Sequence, residues 1–269
     1  MSQLPKVCLT IAGLDPSGGA GIIADIKTFS AFGCFATAAV TSLTFQNTTG
    51  VFGAAHQTGE SVRRQIQPIL DDYTVAALKT GMLPTVEVIL ETAQLLVENS
   101  LPNVVVDPVV RSTSGFDLID GEALRALINH LFPFSDLVTP NIPEAERIAN
   151  MTIKTEDDVC EAARKMQSFG ASNVLIKGGH FFNKGENCEN RIAKDFLFVG
   201  DVLTVFEAEF IETTATHGTG CTLAAAITAN LALGKNLIEA VGIAKDFVTN
   251  AIATAPKLGR GNSPVNLLN

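Results

Sequence analysis

Asn103 to Val110, NVVVDPVV, is the stretch on which the fold turns. Three consecutive valines and no polar alternation do not suit a strand with one face in water. Such a run is the mark of a parallel strand covered on both faces by helices. Asp107 closes it, before Pro108.

Working outward, short β-rich runs alternate with segments of helical period. Upstream, TVEVILETAQLLVEN (85–99) reads as a helix with Thr85 as N-cap and Glu87 in its first turn. AALKTGM (76–82) is a short strand before it. Val62, Ile66, Ile69 and Leu70 give an i, i+4, i+7, i+8 stripe. TAAVTSLTF (37–45) is a buried strand, and KVCLTIAG (6–13) another that ends at Gly13, followed by a glycine-rich loop and a helix from about Ala20 to Phe32.

Downstream, Leu124, Leu127, Ile128 and Leu131 mark a helix. DLVTPN (136–141) is a strand leading into the helical IPEAERIAN (142–150). Val159, Ala162, Ala163, Met166 and Phe169 mark the next helix, and NVLIKGGH (173–180) a strand. FFNKGENCENRIAKD (181–195) is polar and reads as a loop or flap. DFLFVGDVLTVFEAEFIE (195–212) predicts a hairpin around Gly200-Asp201, and two helices begin near Thr219 and Leu237. This alternation predicts an α/β fold with one doubly wound, mostly parallel sheet between helical layers. No linker, repeat or low-complexity segment interrupts it, so residues 1–269 are expected to form a single domain.

A net charge of −9 argues against nucleic acid or an anionic membrane surface as partner. The longest apolar stretch, Leu223 to Leu233, is too short to span a bilayer. The N-terminal MSQLPKVCLTIAG has no basic head followed by an apolar run. The cysteines at 8, 34, 160, 188 and 221 are scattered, with no C-x-x-C, as expected of reduced thiols in a cytoplasmic protein.

In doubly wound sheets, ligands bind beyond the carboxyl ends of the strands. There this chain places GLDPSGGAG, QNTTG, GM, DPVVRSTSG, TPNIPE, KGGH and THGTGC. Neither G-x-x-x-x-G-K-[ST] nor G-x-G-x-x-G occurs, so a P-loop and a dinucleotide site are both unsupported. HGTGCT (217–222) instead has the makings of an anion site, with accessible backbone N–H groups at Gly218 to Gly220 and the positive end of a helix behind them. Cys221, near that terminus, is expected to have a lowered thiol pKa. A glycine turn with an inert, buried cysteine is the other reading of the same residues.

Asn141 and Glu144 open a helix at a strand end. They suit either plain capping or an oxygen-rich shell for Mg²⁺, with Asp107 as a second carboxylate. Asp25 falls on the first helix, where a surface role is equally open, and Gln46 follows an apolar strand, where its amide can serve a heterocycle or a turn. His56, His130, His180 and His217 have no metal-binding spacing.

LTIAGLDPSGGAGIIADIKTF, QNTTGV, KTGML, VVVDPVV, TPNIPEAE, LIKGGH and THGTGCTLAAAI, in this order and from about Leu9 to Pro264, resemble the hydroxymethylpyrimidine/phosphomethylpyrimidine kinases of thiamine biosynthesis, within the ribokinase superfamily. The resemblance implies a ribokinase-like three-layer α/β/α sandwich, ATP and Mg²⁺ as cofactors, a cytoplasmic homodimer, and phosphorylation of 4-amino-5-hydroxymethyl-2-methylpyrimidine and then of its monophosphate. It places Gly13, Asp25, Gln46, Met82 and Val109 at the pyrimidine, and Asn141 and Glu144 at the metal. Asp107, at the same edge, is added to the metal from the residues alone, and is otherwise a capping or turn residue before Pro108. Lys177 and Thr139 fall at the nucleotide, and Gly218, Thr219 and Gly220 form the anion hole. Cys221 stands where many relatives carry an aspartate base. Thr113 stands where several relatives carry lysine, GRGNSPVN replaces a glycine/histidine-rich tail, and Phe181 to Lys194 corresponds to a flap. Pyridoxal kinases are the nearest rival, against which Gln46 favours the pyrimidine.

Overall fold

The alternation seen in the sequence becomes nine strands and eight helices among the residues described by the computed structural model: 4–111, 115, 117–179 and 191–267. Thr113, His180, Cys188 and the flap segment 181–190 lie outside them. The strands are β1 (Val7–Leu14), β2 (Phe35–Asn47), β3 (Gly50–His56), β4 (Val75–Thr80), β5 (Val104–Val106), β6 (Leu137–Val138), β7 (Asn173–Gly179), β8 (Ile192–Val199) and β9 (Val202–Glu209). The helices are α1 (Gly21–Ala31), α2 (Gly59–Asp72), α3 (Val86–Asn99), α4 (Gly121–His130), α5 (Ile142–Ala149), α6 (Glu156–Ser168), α7 (Thr219–Ala232) and α8 (Leu237–Ala253).

All the strands join one sheet in the order β3-β2-β1-β4-β5-β6-β7-β8-β9. From β2 to β7 they run parallel; β3 is antiparallel to β2 at one edge, and at the other β8 is antiparallel to β7 and β9 to β8. Helices α2 to α6 cover one face; α1, α7 and α8 cover the other. The three valines of NVVVDPVV show why the run is continuous. Val104 and Val106 point into the core under α2 to α6, Val105 into the core under α7 and α8, and all three are buried. A period-2 backbone between two helical layers needs apolar side chains on both sides. Among the described residues, no helix is long and apolar enough to cross a membrane.

Local chemistry sets the helix starts. Thr58, Thr85, Asp120, Asn141, Thr155 and Asn236 each accept a first-turn N–H with the side chain. Helix α7 departs from the amphipathic rule because it packs against α1, α8 and the strands at once, which explains its alanines.

Three elements differ from expectation. GVFGAAH (50–56) forms β3, which the glycines in the run concealed. DLVTPN contributes only Leu137–Val138, since Pro140 has no N–H to continue a ladder. The polar segment ending at Asp195 is strand from Ile192 on, paired in register with β9 around the predicted turn at Gly200-Asp201.

The chain runs from β1 out to β2 and β3, then returns to the other side of β1 as β4. That reversal opens a crevice at the carboxyl ends of the strands.

Candidate active site

A cavity of about 880 Å³ occupies this crevice. In strand order it is lined by Gln46 after the middle of β2, Gly13 at the end of β1, Met82 after β4, Asp107 and Val109 after β5, Asn141 and Glu144 at the start of α5, and Lys177 on β7. Gly218, Thr219, Gly220 and Cys221 close it from the α7 side. Residues far apart in sequence thus meet because each follows a parallel strand or opens a helix at the same edge.

Two of the expected site residues do not line it. Asp25, placed at the pyrimidine by resemblance, is wholly buried and accepts hydrogen bonds from Thr10 Oγ1 (2.6 Å) and from Lys79 Nζ (2.9 and 3.0 Å). Its reach into the cavity is indirect, through Lys79, which does line it. Thr139, placed at the nucleotide, is also fully buried and donates from Oγ1 to Asp107 Oδ1 at 3.0 Å. Each carboxylate consumes a hydroxyl that would otherwise be free.

The Gly218–Gly220 loop, expected to bind an anion, is built by close approach of two backbones. Gly218 is the N-cap of α7 at φ +85°, and a Cβ there would lie 1.8 Å from the carbonyl oxygen of Gly19. Only glycine fits. Behind it, the N–H groups of Gly220 and Cys221 have no acceptor among the described residues, as expected of a helix first turn. Gly220 faces Lys177 directly: a Cβ on it would stand 3.2 Å from Nζ and 4.0 Å from Asp107 Oδ2.

Lys177 Nζ donates to Asp107 Oδ1 at 2.8 Å. Burial opposes its charge, but the carboxylates of Asp107 and Glu144 outweigh burial and raise its pKa. Asn141 and Glu144 form a reciprocal capping box, with Asn141 N–H to Glu144 Oε2 at 2.8 Å and Glu144 N–H to Asn141 Oδ1 at 2.9 Å. The capping and ligand roles proposed for this pair are compatible, since Glu144 Oε1 has only a long 3.4 Å bond from Val110 N–H.

Burial pushes Glu144 up to about 7, despite Lys177. A raised carboxyl pKa means that the folded state holds the proton more tightly than the unfolded chain. Its stabilising effect is present below the ordinary value of 4.5 and lost as pH climbs through 7. Glu144→Gln is therefore expected to gain stability at pH 8, on the order of 3 kcal/mol at most, and none below pH 4.5. Urea unfolding of both proteins across that range checks the sign.

Cys221 corrects an expectation. Burial outweighs the neighbouring Lys79 and pushes the thiol up to about 11, although Gly21 N–H donates to the sulfur. At neutral pH the residue is a thiol, despite its place at a helix N-terminus.

Three buried polar pairs have no local sequence signal that brings them together. Asp15 is buried and gathers Ser17 N–H and Oγ, Gly19 N–H, Ala20 N–H and His217 Nε2, the last at 2.8 Å, so the glycine-rich loop is tied to the anion loop. Lys245 Nζ meets Asp195 Oδ2 at 2.7 Å, while Asp195 Oδ1 accepts Gly178 N–H at the end of β7. The third is Lys79–Asp25. A lysine inside the apolar strand AALKTGM was the available signal, because a buried ammonium requires a partner.

A ribokinase-like α/β/α sandwich that sets an anion loop opposite a lysine and two carboxylates, beside an amide-bearing pocket, defines a phosphotransferase of small molecules. The comparisons agree. The profile of the family described as phosphomethylpyrimidine kinase matches residues 15–266. A hydroxymethylpyrimidine/phosphomethylpyrimidine kinase of Staphylococcus aureus is 41% identical over 263 residues, covering 97% of this chain and 93% of that one. Among solved structures, a phosphomethylpyrimidine kinase of Clostridium difficile superposes with a TM-score of 0.80 at 40% identity, over 92% of this chain and 99% of its own. An ADP complex of a Bacillus subtilis pyridoxal kinase superposes with 0.87 at 38% identity, over 98% and 97%. This chain belongs to the phosphomethylpyrimidine kinase family.

Proposed function

We propose that the protein transfers phosphoryl from ATP to 4-amino-5-hydroxymethyl-2-methylpyrimidine and then to the resulting monophosphate, two steps of thiamine biosynthesis. The observation that carries the substrate is Gln46. It lines the same cavity as Gly13 and Met82, and its amide makes no hydrogen bond among the described residues. A primary amide offers both a donor and an acceptor to the edge of an aminopyrimidine.

Phosphoryl transfer is mostly positioning and charge stabilisation. The free N–H groups at the start of α7 hold the anionic oxygens of the transferring group, and Lys177 adds a fixed positive charge from across the cavity. Cys221, a neutral thiol at the end of the anion loop, orients the substrate hydroxyl. A loose transition state asks little of a base.

The donor set suits Mg²⁺: Asp107 Oδ2 faces the anion loop and Glu144 Oε1 is nearly free, two hard carboxylate oxygens for a cation that keeps several waters. Bound there with the nucleotide, the ion would neutralise phosphate charge. The same reading has a cytoplasmic homodimer, supported by Leu43, Phe45 and Phe52 standing exposed on β2 and β3 at the sheet edge.

The structural likeness to pyridoxal kinase makes pyridoxal the second candidate substrate. Parallel ADP-release assays are expected to give the pyrimidine the higher kcat/KM. Gln46→Met should move the ratio toward pyridoxal by about tenfold or more. A wild-type preference for pyridoxal would reverse the assignment.

A further inference from the structure

The segment after α8, GRGNSPVN, has no part in the chemistry above, yet it joins the two sides of the site. Arg260 and Gly261 donate their N–H groups to Thr48 Oγ1 at 3.2 and 3.3 Å, and Asn262 N–H donates to Thr48 O at 2.8 Å. Thr48 lies in the β2–β3 turn, two residues beyond Gln46. The approach is so close that a Cβ on Gly261 would stand 2.1 Å from Thr48 O.

A few residues on, the same segment grips the anion loop. Ser263 O accepts His217 N–H at 3.2 Å, and Pro264 pairs with His217 in a parallel bridge. Farther along, Val265 and Leu267 are buried in the cluster that also contacts Cys221. The far end is therefore anchored by apolar burial, while the near end holds the hairpin by three backbone N–H groups that donate to Thr48, two to its hydroxyl and one to its carbonyl.

We infer that this C-terminal strap is a positioning device that fixes the distance between Gln46 and the anion loop, with Thr48 as its joint. The inference rests on the pyrimidine reading of Gln46. Without the joint, the β2–β3 turn keeps its own ladder but is free to shift against Gly218 to Gly220. The reacting hydroxyl then loses its register with the phosphoryl, and small displacements of this kind are costly in rate and affinity. A strap that merely anchored the C-terminus would affect every property of the enzyme together.

The test is a kinetic comparison of full-length Thr48→Val, Thr48→Ser and Gly261→Ala with Gln46→Ala as reference. Thr48→Val keeps the shape and removes the acceptor; Thr48→Ser keeps the acceptor. We expect Thr48→Val and Gly261→Ala each to raise KM for the pyrimidine alcohol roughly fivefold or more, the equivalent of one or two lost hydrogen bonds. KM for ATP should stay within about twofold, and Thr48→Ser should return the alcohol KM to near wild type.

The inference is overturned if Gln46→Ala raises that KM while Thr48→Val and Gly261→Ala leave it at the wild-type value; the pyrimidine reading then stands. It is also overturned if both KM values rise while kcat and melting temperature fall together, which would mark an anchor only. A wild-type enzyme that phosphorylates no hydroxymethylpyrimidine would overturn the inference and the reading beneath it.

Discussion

Gly218→Ala should abolish nearly all turnover while leaving a folded protein. A Cβ at this position would stand 1.8 Å from Gly19 O, and φ +85° disfavours any L side chain. The loop must therefore move away from the Asp15 loop, and the N–H groups of Gly220 and Cys221 move with it. Removing a single preorganised donor costs about 10²–10³-fold in kcat in other enzymes. Displacing the whole loop should cost at least about 10³-fold for both phosphorylations, because in the proposed function each would pass its charge through the same donors. Steady-state ADP release with either substrate measures it, and a circular-dichroism melt shows whether the fold survives. Activity within tenfold of wild type would mean that the charge is held elsewhere.

Lys79→Met should cost the most stability of any single change at the site. Lys79 and Asp25 are both fully buried, joined by bonds of 2.9 and 3.0 Å, with Thr10 completing the carboxylate's shell. Thr10 and Lys79 sit directly opposite on β1 and β4, so the sheet register itself assembles the pair. Burial works against both charges and raises Asp25, but Asp25 in turn holds Lys79 above the usual lysine range. Removing one partner strands the other, at about 3–5 kcal/mol, whereas replacing both with apolar residues is often close to neutral. For a chain of this size that corresponds to a fall in Tm on the order of 10 °C. Asp25→Leu/Lys79→Met should recover most of it. Equal losses for single and double variants would show that Lys79 acts by packing alone.

Much of the architecture was legible because it follows from periodicity. NVVVDPVV, the capped helices and the β8–β9 turn each carry a local signal for their own conformation. The site was legible to the extent that its residues stand at strand ends or helix starts. Gly13, Gln46, Asp107, Asn141, Glu144, Lys177 and the HGTGC loop do meet in one cavity.

What escaped depends on long-range pairing. No local pattern indicates that Asp25 turns inward to Lys79, that Asp15 clasps His217 across 202 positions, or that Thr139 is taken up by Asp107. The pKa of Cys221 failed for a related reason. A helix N-terminus is visible in sequence, but the desolvation by surrounding residues that overrides it is not.

Two successive phosphorylations of one hydroxymethylpyrimidine at this cavity define the proposed activity. Mass spectrometry of products after incubation with ATP, Mg²⁺ and the pyrimidine alcohol tests it most directly. The monophosphate is expected first and then the diphosphate, with neither formed by Gly218→Ala. Unchanged alcohol alongside phosphorylated pyridoxal in a parallel reaction would contradict it.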